Sequence, residues 1–201
     1  SADVGTSNVT LDGLTIDTIH GGSKTAGTTT DANVKIKSGT VTNVFGGGNG
    51  GTTTNSNITF DETSTANVTN VYGGNNQEGT TRFANINIQG TAKVTGKLYG
   101  GGYKSAIGKE GEVGSTTINI AGGTIQGDIN GGSEQGIVYG NTDINIGREV
   151  TNSTLTAGNI EIKGTIYGAG SSDKANTTPG KAEYEDTQIS VYGETHINMI
   201  N

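Results

Sequence analysis

The chain has 201 residues, of which 36 are glycine and only 29% are hydrophobic, so it cannot fill an ordinary globular core. Its net charge is -7 with no basic stripe, which speaks against nucleic-acid binding, and it has no cysteine for a disulfide or a thiolate metal site. No apolar run approaches the ~20 residues of a membrane-spanning helix.

Two short phrases alternate along the chain. The first is a polar residue followed by alternating aliphatics, the period-two signature of a strand with one buried face. It places Val9 and Leu11 inward after Asn8, then Val34 and Ile36 after Asn33, and Ile58 and Phe60 after Asn57. It continues as Ile86 and Ile88 after Asn85, then Ile118 and Ile120, Ile144 and Ile146, and finally Ile197 and Met199. The second phrase pairs two aliphatic residues and usually ends in an aromatic residue and glycine. Its copies are Ile16, Ile19, His20, Gly21; Val41, Val44, Phe45, Gly46; and Val68, Val71, Tyr72, Gly73. Then come Val94, Leu98, Tyr99, Gly100; Ile125, Ile129, Asn130, Gly131; and Ile162, Ile166, Tyr167, Gly168. Two spacer residues separate the aliphatics in the first three copies and three in the last three.

A weaker third element precedes the first phrase. It is threonine-rich at 28–30, 52–54, 80–81 and 116–117, and becomes Ile137, Val138, Tyr139 and then Ile189, Val191, Tyr192 later. The corner glycines at 21, 46, 73, 100, 131 and 168 set a repeat of 25 to 37 residues. A period in this range marks a solenoid. The expected fold is all-β: a parallel β-helix of six to seven coils of ~25–30 residues, three short strands per coil and no substantial helix. The parallel crossover rule makes it right-handed. Residues 1–201 form a single β-solenoid domain on this reading, a fragment of a longer repeat protein.

The aliphatic–aromatic–glycine phrase, carried on this period over nearly the whole chain, resembles the glycine-rich β-helix regions of bacterial surface adhesins and autotransporter-like passenger domains. The resemblance implies an extracellular, cell-surface location and a non-catalytic adhesin or stalk. It implies a host-surface glycan or protein as partner.

Function is expected where the coils vary. Insertions at 103–114 and 171–186 follow the glycine corner, so both should emerge on one edge of the solenoid. The candidate ligand-binding residues on that edge are Tyr103, Lys104, Lys109, Glu110, Glu134, Asp173, Lys174 and Tyr184. A third insertion at 147–158 follows the other strand. The aromatic column Phe45, Tyr72, Tyr99 and Tyr167 is either a stacked corner or a sugar-stacking platform; Asn130 interrupts it. The asparagine column reads as structural, since stacked amides bond to their copies.

No cofactor is expected. The repeat lacks a calcium-lining pattern, leaving only the chance pairs Glu110/Glu112 and Glu183/Glu185, and no metal site is assigned. The two histidines, His20 and His196, lie about six coils apart, and no nucleophile–base pair or carboxylate dyad stands out. Alternatives are a polysaccharide-binding or polysaccharide-degrading β-helix, a structural spacer, and an ice-binding threonine array. The final strand phrase carries no cap, so end-to-end self-association through that coil is a further expectation.

Overall fold

The computed structural model describes residues 3–147, 159–171 and 190–200. Among them there is no helix, and parallel strands stack into a β-solenoid of about five turns, slightly fewer than expected. The first ladder stacks β1 (Val4–Leu11), β3 (Thr28–Ile36), β5 (Thr52–Phe60), β7 (Thr80–Ile88), β11 (Ser115–Ile120), β14 (Thr142–Ile146) and β17 (Thr195–Met199) in that order. From β1 to β14 the steps are contiguous. The last step, to β17, passes through residues 148–158 and 172–189, which lie outside the described residues.

The second ladder begins with β2 (Leu14–His20), β4 (Gly39–Phe45) and β6 (Asn67–Tyr72). Beyond β6 it divides into two rows. One is β8 (Lys93–Val94), β12 (Gly123–Ile125) and β15 (Ile160–Ile162). The other is β9 (Leu98–Tyr99), β13 (Ile129–Asn130) and β16 (Ile166–Tyr167). The third spacer residue causes the division. Val68 pairs with Val94 and Val71 with Leu98, so the later copies hold one more residue between the same two rungs, as in a β-bulge. Glycine is needed in that bulge because successive copies nearly touch: a Cβ on Gly127 would lie 1.8 Å from the Gly96 carbonyl oxygen.

The expected third strand is corrected by the structure. In the early coils the threonine triplet and the asparagine phrase form one nine-residue strand, as in β3 and β5. Its pairing runs from Thr29 with Thr53 to Asp31 with Asn55, skipping Thr30, and the inward alternation resets there. Thr29, Thr53 and Thr81 therefore point inward and are buried, followed by buried Ala32, Ser56 and Ala84. The middle threonine of each triplet is thus interior, not part of an outward array. A separate third strand appears only with β10 (Ala106–Ile107), where Ile107 takes the register of Thr81. Bridges then link Ile107 to Val138 and Val138 to Val191.

The core fills as the alternation requires. Ile36, Phe60, Ile88 and Ile120 on one ladder meet Val41, Val68, Val94 and Ile125 on the other, all essentially fully buried. The exception is the last rung, where Ile197 and Met199 are exposed.

The corner glycines answer to close approach, not to left-handed backbone. A Cβ on Gly73 would sit 2.1 Å from the Gly100 carbonyl oxygen, while the Gly73 amide donates to the Tyr99 carbonyl at 3.0 Å. Ser56, Thr116 and Thr142 close the same corner from the opposite strand, donating their hydroxyls to the carbonyls of Gly73, Gly131 and Gly168.

Candidate functional site

The aromatic column stacks face to face. His20 and Phe45 lie 5.0 Å apart, Phe45 and Tyr72 4.9 Å, and Tyr72 and Tyr99 5.5 Å, with interplanar angles of 10° or less. Direct register pairing imposes this, since each residue sits on the rung beside the next. Phe45, Tyr72 and Tyr99 are buried, so their faces are spent on one another and the column is not a platform for sugar rings. Only Tyr167 is exposed, and buried Asn130 separates it from Tyr99. At the other end His20 Nδ1 is buried without a hydrogen-bond partner, and burial lowers the histidine's pKa below its ordinary value.

What the column does instead is form the base of a groove of about 360 Å³. Phe45 and Tyr72 contribute the base. The outward spacer residues Thr18, Asn43 and Asn70 line one side, on successive paired rungs. Asn76, Tyr103 and Gln135 come from the loops after the glycine corners and line the other. Tyr103 tilts 59° against Tyr72 at 5.9 Å between ring centroids.

Lys97 and Glu134 complete the lining. Glu134 is buried, and both its oxygens are taken: Oε2 accepts from the Tyr72 hydroxyl and Oε1 from Lys97 Nζ, each at 2.6 Å. Burial first, and the Glu134 carboxylate second, hold the Tyr72 hydroxyl protonated far above its ordinary range. A buried carboxylate persists only when paired and hydrogen-bonded in this way. Lys97 is the extra spacer residue of the first three-spacer copy. Its backbone amide donates to Asn70 Oδ1 at 3.0 Å, which anchors the bulge beside the asparagine row.

Beneath the loops lies Asn75, fully buried. Its Oδ1 accepts from the Gly48 amide at 2.7 Å, from Thr53 Oγ1 at 3.2 Å and from Thr81 Oγ1 at 3.1 Å. Its Nδ2 donates to the carbonyls of Gly51 at 2.9 Å and Glu78 at 3.0 Å. This single amide ties the groove-side loops of two successive coils to the interior threonines.

The predicted site residues divide. Tyr103 and Glu134 meet at the groove, and Lys104 is adjacent, its ammonium 5.2 Å from the Tyr103 ring centroid. Lys109 and Glu110 do not join them. Because Ile107 keeps the register of Thr81, the added residues leave the coil after it, in a tight turn closed by Lys109 and Glu112. That turn stands at the bend of the first ladder, not among the glycine-corner loops. Lys109 Nζ pairs with Glu112 at 3.0 Å. Asp173, Lys174 and Tyr184 lie outside the described residues, as does most of the third insertion. Sequence reasoning missed Asn43, Asn70 and Lys97; the aligned spacer positions of the second phrase were the signal for them. Among the described residues no group of three His, Asp or Glu side chains is placed to hold a metal ion. No family model matches this chain, and neither a curated protein nor a solved structure is significantly similar to it.

Proposed function

We propose that the chain is a non-catalytic segment of a bacterial cell-surface protein, an adhesin or stalk that binds a host-surface partner through the groove at its glycine-corner loops. The observation that carries this reading is the groove itself: a concave, polar-lined, aromatic-based surface of about 360 Å³, within the range of ligand sites. Its composition favours binding over turnover. Among the described residues Glu134 is the single carboxylate in the lining, whereas glycoside hydrolysis uses two. That carboxylate is engaged on both oxygens by Tyr72 and Lys97, which leaves it poorly placed to exchange protons with a ligand.

The test has two arms. Fluorescently labelled protein is applied to epithelial cells, with the double variant Tyr103→Ala/Gln135→Ala alongside. Saturable binding that the double variant loses is the expected result. Absence of binding overturns the reading in favour of a structural spacer. In parallel, polysaccharides incubated with the protein are assayed for new reducing ends, and their release overturns the non-catalytic part.

A further inference from the structure

We infer that the groove takes an uncharged oligosaccharide, laid along the solenoid axis with one sugar ring against Tyr103. The inference rests on the binding role proposed above and adds the chemical class of the ligand.

Charge decides the class first. Among the described residues the lining contains one cation and one anion, Lys97 and Glu134, and they are paired with each other at 2.6 Å. The described lining therefore offers no unspent counter-charge to a phosphate, sulfate or uronate. Such ligands are normally met by unspent Arg or Lys donors.

The remaining groups match hydroxyls. Asn43, Asn70, Asn76 and Gln135 all line the groove, and an amide presents a donor and an acceptor on one planar group. The Asn70 amide is spent, since Nδ2 donates to Asn43 Oδ1 and Oδ1 accepts from Lys97. That arrangement fixes the orientation of Asn43 and leaves its Nδ2 without a partner among the described residues. The Gln135 side-chain amide and the Tyr103 hydroxyl are likewise without hydrogen-bond partners there. Three unspent polar groups around an aromatic ring suit adjacent sugar hydroxyls, each of which both donates and accepts.

Geometry sets the direction. Thr18, Asn43 and Asn70 stand on consecutive rungs, so the polar row advances ~4.8 Å per step along the axis. That step is close to the length of one pyranose unit in an extended chain. The stacked column beneath has no free face, whereas Tyr103 is only partly buried and is held at a tilt by Tyr72. Tyr103 is thus the ring available to pack against a sugar.

The inference is tested by calorimetric titration with cellotetraose, maltotetraose and mannotetraose, against tetragalacturonate as the acidic counterpart. Binding of at least one neutral tetrasaccharide, with none of tetragalacturonate, is the expected result. Tyr103→Ala should weaken it by roughly tenfold or more, the size of loss typical for an aromatic anchor. Tyr103→Phe retains the ring and should lose only a fewfold, and Lys109→Ala, outside the groove, should leave affinity unchanged. Unfolding curves of each variant separate lost binding from lost structure. Preference for tetragalacturonate overturns the inference, as does neutral binding that is indifferent to Tyr103→Ala. If cells are bound through the groove residues but no neutral tetrasaccharide binds or competes, the inference falls while the binding role stands. If no cells are bound, the binding role itself falls.

Discussion

Asn75→Ala is the sharpest perturbation of the scaffold that carries the groove. It removes one acceptor from three donors, Gly48, Thr53 and Thr81, and one donor group from two carbonyls, Gly51 and Glu78. All of this occurs at a fully buried position. Hydrogen bonds of this kind contribute ~0.5–1.5 kcal/mol net each, so losing five should cost about 4 kcal/mol, at the diagnostic end of single substitutions. The matched control is Asn33→Ala, which removes two amide bonds on the partly exposed asparagine row, to Asn8 and to Asn57. Water replaces those bonds readily, and the control should cost about 1 kcal/mol or less. Urea unfolding would be followed by far-UV circular dichroism and by tyrosine fluorescence. Coincident curves are required for a two-state reading, because a repeat array can unfold in parts. An Asn75→Ala cost no larger than that of Asn33→Ala would refute the assignment of Asn75 as the interior hub.

Three further outcomes are expected. Gly73→Ala should give little soluble folded protein, because its Cβ would lie 2.1 Å from the backbone oxygen of Gly100; Gly5→Ala, with open space around it, should change the melting temperature very little. His20 has its pKa lowered by burial, so the unfolded chain takes up its proton first as pH falls. Stability attributable to His20 is complete above its unfolded value of ~6.5 and declines below it, and His20→Phe should remove that acid sensitivity in thermal melts. His196 behaves oppositely: its pKa is raised, first by the hydrogen bond its Nδ1 donates to Asp143 Oδ1 at 2.8 Å. Its contribution is complete below ~6.5 and is lost as pH rises through the raised folded value. Hydrogen exchange of the β17 amides should therefore quicken from pH 5.5 to 8 beyond the intrinsic chemical rate, and His196→Gln should abolish that excess.

The ladders were legible because their cause is local. Ile86 and Ile88 alternate with polar residues, and nothing outside that segment is needed to choose a strand. The corner glycines were legible as corners, although their reason, contact between successive glycine backbones, shows only once the coils are stacked. The merging of the threonine and asparagine elements was not legible. Nothing in the threonine-rich stretches says which way Thr53 and Thr81 face; only the stacked coils show Asn75 supplying partners for their hydroxyls inside. The groove was legible only in part, for the same reason. Glu134 lies 62 residues from Tyr72 and 37 from Lys97, and stacking register alone brings them together. Lys109 and Glu110 were misplaced because sequence gives the length of an insertion but not the rung after which it leaves the coil.

The coil-by-coil stacking also dictates how such a rod yields under tension. The inter-strand bonds run along the long axis, and the chain enters each coil only from the one before. A pull on the two termini therefore peels rungs from the ends and leaves the middle intact. Thr29 lies one rung from Thr53, and Thr53 one rung from Thr81, so each peeled coil frees about 25 residues of slack, or ~80–90 Å of extended chain. A segment built this way and held at both ends lengthens one coil at a time, and because the groove is lined from Thr18 on β2 to Gln135 after β13, the first coils to peel already open it.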